Sequence, residues 1–130
     1  MRQALGGFEV TAWQENSYDE GPGLPKMTWV HATMRFTGDV DGNAILAFLM
    51  MYRDDGTASY AGLHRITGRV HDKSGSFVIQ ETGVFDGRVS RGKWTLVPGS
   101  GTGELKNLNG SGSASATSKT DSSYTLDYDL

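Results

Sequence analysis

Apolar and polar residues alternate with a period of two along most of the chain, and this pattern constrains the fold more than any other feature. It is clearest at the carboxyl end, where Tyr124, Leu126, Tyr128 and Leu130 alternate with polar residues. Such alternation is typical of a β-strand with one buried face, and no segment shows a capped pattern with the helical period. The chain is therefore predicted to be all-β.

Turn residues divide the alternating pattern into eight strands. Glycine is frequent, with 18 residues against 3 prolines, and sequences such as Asp54-Asp55-Gly56 and Asp86-Gly87 mark the breaks. The predicted strands cover residues 6–14, 26–37, 44–53, 58–71, 75–85, 88–97, 102–116 and 122–130. Closing such a sheet into a ring removes its two exposed edges. We predict a single domain over residues 1–130, a closed eight-stranded antiparallel β-barrel with little or no helix; a two-sheet sandwich is the alternative.

Two predicted hairpins indicate which side chains share the interior. A two-residue turn at Asp86-Gly87 pairs Phe85 with Arg88 and places Ile79 opposite Trp94. A turn centred on Asp72-Lys73 places His64 directly opposite Glu81, close enough for a hydrogen bond. The face that results, with glycines among large side chains, suits the curved inner wall of a small barrel. It comprises Tyr60, His64, Ile66, Phe77, Ile79, Phe85, Trp94 and Leu96.

Composition excludes several functional classes. The net charge of −3 has both signs interspersed, which argues against a nucleic-acid partner. The absence of cysteine excludes disulfides, thiolate metal sites and cysteine nucleophiles, and the three histidines have no short metal-ligand spacing, so neither a metal nor a cofactor is predicted. No apolar stretch approaches the roughly 18 residues of a membrane span, and the first residues do not resemble a signal peptide. We predict a cytoplasmic protein without a membrane partner.

The third predicted strand departs from the alternating pattern. Its residues Ala44–Tyr52 are apolar on both faces, although no helix is predicted to cover the outer one. An exposed apolar stripe of Ile45, Ala47, Leu49 and Met51 would favour self-association. We therefore predict a homo-oligomer, with a dimer favoured; the alternative is that the amino-terminal segment folds over this strand.

Several segments of the chain together resemble a known family. They include Phe36–Gly42, Leu49–Tyr52, Tyr60–Leu63 and, as the most specific part, the Pro-Gly-Ser-Gly-Thr-Gly-Glu-Leu sequence within Val97–Leu105. These segments are similar to the bacterial family DUF3224, a domain of unknown function. The resemblance implies a fold like the allene oxide cyclase-like barrels, with a central cavity. It implies no particular reaction, because a fold does not determine a function.

Two groups of inward-facing residues could carry chemistry. His64 and Glu81 could exchange protons near neutral pH if apolar walls enclose them, and they are the candidate catalytic residues. The alternative for this pair is a buried contact that satisfies itself. Apolar side chains around the pair could bind a ligand, or they could simply fill the core. The candidate ligand-binding residues are Tyr60, Phe77, Ile79, Phe85, Trp94, Phe48 and Met50.

Three functions follow from these candidates. The first is the binding of a small hydrophobic molecule in the central cavity. The second is a cofactor-independent isomerase or cyclase in which Glu81 takes or transfers a proton and His64 assists. The third is a structural or assembly protein that uses the apolar stripe. The sequence favours the binding protein and leaves open whether the chain is an enzyme.

Overall fold

The structure, a computed structural model, describes all 130 residues and confirms an all-β chain of eight antiparallel strands. The strands are β1 (Arg2–Gly21), β2 (Leu24–Gly38), β3 (Val40–Tyr52), β4 (Ala58–Val70), β5 (Lys73–Phe85), β6 (Ser90–Leu96), β7 (Asn109–Ala116) and β8 (Ser122–Asp129). The only helical segment is a short 3-10 turn at Gly103–Leu105. No helix in the chain has the length and apolar character needed to cross a membrane.

The eight strands form one sheet that closes into a ring. Each strand pairs with the next along the chain, and β1 pairs with β8 from Arg2 opposite Tyr128 to Gly6 opposite Tyr124. Beyond Gly6 the ladder between the two strands ends. Phe8 N still donates to Ser122 Oγ at 2.8 Å, and Val10 N donates at 2.9 Å to Lys119 O in the turn before β8. The rest of β1 pairs only with β2, through a register interrupted by three irregularities.

The register of the two predicted hairpins is wrong by two residues in each case. His64 lies opposite Ile79 rather than Glu81, because the turn before β5 consists of His71 and Asp72 and not of Asp72 and Lys73. His71 adopts a positive φ of 52° there, a conformation that is uncommon for residues other than glycine. A shift by two leaves every side chain on its predicted face, so the inner wall is as expected.

The second hairpin is shifted because its loop has four residues rather than two. The Asp86 side chain accepts hydrogen bonds from Arg88 N at 3.0 Å and Val89 N at 2.8 Å, which stabilises the longer loop. Phe85 therefore pairs with Ser90 instead of Arg88. This shift brings Trp94 opposite Glu81, whereas the predicted register placed Trp94 opposite Ile79.

The segment before β7 is not the strand that the sequence predicted from residue 102. It forms the 3-10 turn, and Thr102 joins it to β5 through a backbone hydrogen bond of 2.8 Å from Thr102 N to Ser76 O. Leu105 and Leu108 are buried in the core cluster as a result. Leu105 lies beside Gly75 at the start of β5, so this segment covers the end of the ring where β4 turns into β5.

Glycines allow the strands of the inner wall to approach one another. A Cβ atom on Gly62 would lie 1.9 Å from the carbonyl oxygen of Ala47, and one on Gly83 would lie 2.4 Å from the Tyr60 ring. Both distances are far below van der Waals contact, so these positions require glycine. The space at Gly83 is what lets the Tyr60 ring lie across β5.

The outer face of β3 carries the apolar side chains that the sequence indicated. Ile45 is 70% exposed, Leu49 is 58% exposed and Leu63 of β4 is 51% exposed. The amino-terminal strand therefore does not cover this surface, in contrast to the alternative considered above. Self-association through the stripe stays a prediction.

Candidate functional site

The interior of the ring is packed at one end and hollow at the other. The packed end contains the aromatic rings of Phe36, Phe77, Trp94 and Tyr124, all of them buried. Toward the turns that follow β3, β5 and β7, the packing gives way to a cavity of about 400 Å³ with a mostly apolar wall. Its lining comprises Phe8, Val10, Trp13, Met34, Phe48, Met50, Tyr52, Tyr60, His64, Glu81, Phe85, Arg88, Ser90 and residues 114–119.

The cavity opens where β1 leaves β8. Phe8, Val10 and Trp13 of β1 line one side of it, and residues 114–119, from β7 and the turn after it, line the other. The ladder between β1 and β8 ends at Gly6, so this part of β1 faces the end of β7 and the turn between β7 and β8. The opening is thus a direct result of the incomplete pairing between the first and last strands.

Hydrogen bonds around Glu15 hold two of the aromatic side chains at this opening. Trp13 Nε1 donates to Glu15 Oε1 at 3.0 Å, and both Tyr52 and Thr28 donate their hydroxyls to Glu15 Oε2. Burial alone would raise the pKa of Glu15, but these donors together with Lys26 lower it below its ordinary value. The carboxylate is therefore a fixed acceptor that orients Trp13 and Tyr52 along the cavity wall.

The polar floor of the cavity is built on the carboxylate of Glu81, whose side chain is 7% exposed. Its Oε1 accepts hydrogen bonds from His64 Nε2 at 2.7 Å and from Trp94 Nε1 at 2.8 Å. Its Oε2 accepts one from the Tyr60 hydroxyl at 2.7 Å. Three strands, β4, β5 and β6, supply these groups, and the observed register brings them together.

The charge of Glu81 follows from these contacts. Burial is the largest single effect and would raise the pKa of the carboxyl group. The hydrogen bonds from His64, Tyr60 and Trp94, together with the positive charge that His64 can carry, outweigh burial and lower the pKa below its ordinary value. The burial of Tyr60 beside this carboxylate raises the pKa of its hydroxyl, which therefore stays protonated and donates.

Only one of the two ring nitrogens of His64 makes a hydrogen bond. Its ring lies among aromatic neighbours, 5.3 Å from Phe48, 6.4 Å from Phe36 and 6.1 Å from Trp94 between ring centroids. Nε2 faces Glu81, whereas Nδ1 is buried without any hydrogen-bond partner, the one side-chain nitrogen or oxygen of the chain in that state. The ring nevertheless forms part of the cavity wall.

The structure brings together only some of the predicted site residues. His64 and Glu81 are in contact, as diagonal rather than directly opposed neighbours. Tyr60, Phe48, Met50 and Phe85 line the cavity with them. Three further candidate ligand-binding residues lie instead in the packed half of the interior, so they are not part of the cavity wall: Phe77, Ile79 and Trp94. Trp94 has a different role, as a hydrogen-bond donor to Glu81.

Several residues of the cavity wall were not singled out by the sequence. Phe8, Val10 and Trp13 belong to a strand whose inner face changes at an irregularity between Val10 and Ala12, which the alternating pattern hides. Residues 114–119 are small or polar and carry no apolar signal. The one indication in the sequence is their position at and just before the turn that joins the last two strands. No group of three or more potential metal-ligating side chains occurs anywhere in the structure.

Comparison with known proteins agrees with this architecture. The family model described as protein of unknown function (DUF3224) matches residues 4–128. A crystal structure of a protein with unknown function from the same family, from Shewanella oneidensis MR-1, is similar with a TM-score of 0.85 and 26% sequence identity; the match covers 100% of this chain and 97% of that chain. No curated protein matches the chain. Because the family model covers almost all of the sequence, the chain belongs to the DUF3224 family.

Proposed function

We propose that this protein binds a small hydrophobic molecule inside the ring. We also propose that the ring is a closed barrel of the allene oxide cyclase-like type. The observation that carries the proposal is the cavity of about 400 Å³ with a mostly apolar wall and a polar floor. Sites for small molecules typically have volumes of about 300–1,000 Å³ and combine apolar walls with a few convergent polar groups. The open end of the ring supplies both features.

The distribution of polar groups supports a ligand with an apolar body. Phe8, Phe48, Met50 and Phe85 belong to the apolar part of the cavity wall. Among the polar residues of the wall, Tyr60 and His64 are hydrogen-bonded to Glu81 at the floor. A molecule that is apolar along most of its length would bury its surface against the aromatic wall, which is the dominant favourable contribution to binding.

A second candidate function is a cofactor-independent isomerase or cyclase. The observation that favours it is the buried contact of 2.7 Å between His64 Nε2 and Glu81 Oε1, beside an apolar cavity. In this arrangement Glu81 acts as a positioning residue, since its oxygens already accept three hydrogen bonds. His64 would then be the group that exchanges a proton with a substrate.

The binding of a neutral dye tests the first proposal. N-phenyl-1-naphthylamine becomes brightly fluorescent in apolar surroundings, and we expect saturable binding of one molecule per chain. Ala114→Phe places a ring inside the cavity, because Ala114 lies on its wall, and should weaken binding about tenfold or more. The matched control is Ser113→Phe, at the neighbouring exposed position of β7. Equal dye affinity in both variants, with both folded, would contradict a binding site in the cavity.

Native mass spectrometry of the freshly purified protein provides an independent measurement. A co-purified apolar molecule should appear as an added mass on the wild-type chain and on the Ser113→Phe variant. It should be reduced or lost on the Ala114→Phe variant, in which the added ring occupies the same space.

A further inference from the structure

The unpartnered nitrogen of His64 indicates what the ligand carries. His64 Nδ1 is buried and makes no hydrogen bond, while its ring lines the cavity. A buried polar atom without a partner destabilises a folded protein, and proteins rarely retain one without a reason. A ligand atom that forms a hydrogen bond with Nδ1 would remove this cost. The inference below rests on the proposed function, because it concerns the same cavity.

The other polar groups at the floor have no hydrogen left to donate. The Tyr60 hydroxyl donates to Glu81 Oε2, so the contact of 3.0 Å between Tyr60 and Ser90 must use the hydrogen of Ser90. Trp94 Nε1 and His64 Nε2 both donate to Glu81 Oε1. A ligand that reaches the floor therefore meets acceptors only.

Glu81 lines the cavity as an acceptor only, and its side chain is almost fully buried. Its two oxygens accept three hydrogen bonds, and the backbone of Gly92 lies directly against Oε2, where an added Cβ would be only 2.0 Å away. The carboxylate thus fixes the ring of His64 through Nε2. In the neutral ring, donation from Nε2 leaves the lone pair on Nδ1 as the acceptor.

The surroundings of Nδ1 contain no acceptor for a second N–H of the ring. Phe36, Phe48 and Trp94 lie around the His64 ring, and Nδ1 makes no hydrogen bond within the protein. A lone pair on Nδ1 that faces this apolar surrounding is therefore an acceptor that has no donor in the protein.

We propose that the ligand is an apolar molecule with a weakly acidic hydroxyl group, a phenol or an enol, and that this hydroxyl donates a hydrogen bond to His64 Nδ1. A phenol or enol is a better donor than an alcohol, and its apolar body matches the aromatic wall. Nδ1 is itself buried, so the hydroxyl reaches it only when a neighbouring side chain moves; the Phe48 ring lies 5.3 Å from the His64 ring between centroids and also lines the cavity.

Three probes of similar size test the proposal: 2-naphthol, which has the hydroxyl donor, 2-methoxynaphthalene, which can only accept, and 2-methylnaphthalene, which can do neither. We expect the wild-type protein to bind 2-naphthol about tenfold more tightly than either of the others, as measured by competition with N-phenyl-1-naphthylamine. In His64→Phe we expect 2-naphthol to bind about as tightly as the other two probes, and 2-methylnaphthalene should still bind. The matched control is Leu63→Phe, at the exposed neighbouring position, which should keep the full preference.

A second measurement does not depend on a folded variant. In wild-type protein with ¹⁵N-labelled histidine, the Nδ1 resonance of His64 should have the shift of an unprotonated nitrogen and should move on addition of 2-naphthol but not of 2-methylnaphthalene. Equal affinity for all three probes, or an Nδ1 resonance that ignores 2-naphthol, would overturn this inference and leave the proposed function intact. If the dye itself does not bind in the cavity, both proposals fail together.

Discussion

Replacing Glu81 with leucine should destabilise the fold severely, because one carboxylate satisfies three buried donors. Leucine has a similar volume but accepts no hydrogen bond, so His64 Nε2, Trp94 Nε1 and the Tyr60 hydroxyl would lose their acceptor. Each buried donor left without a partner costs about 1–3 kcal/mol. Removing the buried charge relieves part of this cost, so we expect the free energy of unfolding to fall by about 3–5 kcal/mol.

Glutamine at the same position provides an internal comparison. Its amide oxygen can accept from His64 and Trp94, and its amide nitrogen can donate to Tyr60 if that hydroxyl turns toward Ser90, which lies 3.0 Å away. All three partners are then kept, and only the strength gained from the charge is lost. We expect Glu81→Gln to lower the free energy of unfolding by about 1–2 kcal/mol.

Urea unfolding at pH 7, followed by tryptophan fluorescence, measures both changes. Trp94 is buried against Glu81 and should report the loss of this contact. The control is Glu9→Leu, at an exposed position of β1, which we expect to change the free energy of unfolding by less than about 0.5 kcal/mol. A loss below about 1 kcal/mol in Glu81→Leu would refute the argument that the carboxylate holds the cluster together.

Three further predictions concern the pH dependence at Glu81, the close packing of Gly92 and the exposed face of β3. The pKa of Glu81 in the fold is below its ordinary value of 4.5. The contribution of the ionised carboxylate to stability is therefore complete above pH 4.5 and is lost as the pH falls through the lower folded pKa. In urea titrations, the difference in unfolding free energy between wild type and Glu81→Gln should shrink over this acidic range. Gly92→Ala would place a methyl group 2.0 Å from Glu81 Oε2 and should lower the melting temperature by several degrees, unlike Gly21→Ala, whose nearest neighbour is 3.7 Å away; equal melting temperatures would contradict the close approach. Ile45→Lys should shift the sedimentation of the protein toward the monomer, whereas Thr82→Lys on the exposed face of β5 should not, and unchanged association in Ile45→Lys would exclude the stripe as the interface.

Much of the fold could be predicted from the sequence because successive side chains of a strand can point only to one of two faces of the sheet. Residues such as Tyr60, His64 and Glu81 lie on the inner wall although the predicted register was wrong, since both turns shifted it by an even number. The exact register depends on contacts that the pattern does not contain. The positive φ of His71 and the hydrogen bonds of Asp86 within its own loop decide it.

The candidate site was predictable only in part for a related reason. The residue types of the His64 and Glu81 pair identify it, and the alternating pattern places both inside. What separates the cavity from the packed core is the filling of the ring at one end by Leu105 and its neighbours, together with the departure of β1 from β8 at the other. Both are long-range arrangements, and neither leaves a local signal in the chain. For that reason Phe77 and Ile79 looked equivalent to Phe48 and Tyr60.

The departure of β1 from β8 also bears on the solubility of the chain. From Thr11 to Gly21 one side of β1 has no neighbouring strand, so a row of backbone amide and carbonyl groups could in principle template a strand from another molecule. The register irregularities near Ala12, Asp19 and Gly21 interrupt the regular spacing that such templating needs. Acidic side chains along the same segment, Glu15, Asp19 and Glu20, add electrostatic repulsion between like edges. The open side of β1 at the mouth of the cavity is thereby protected against the growth of fibrils.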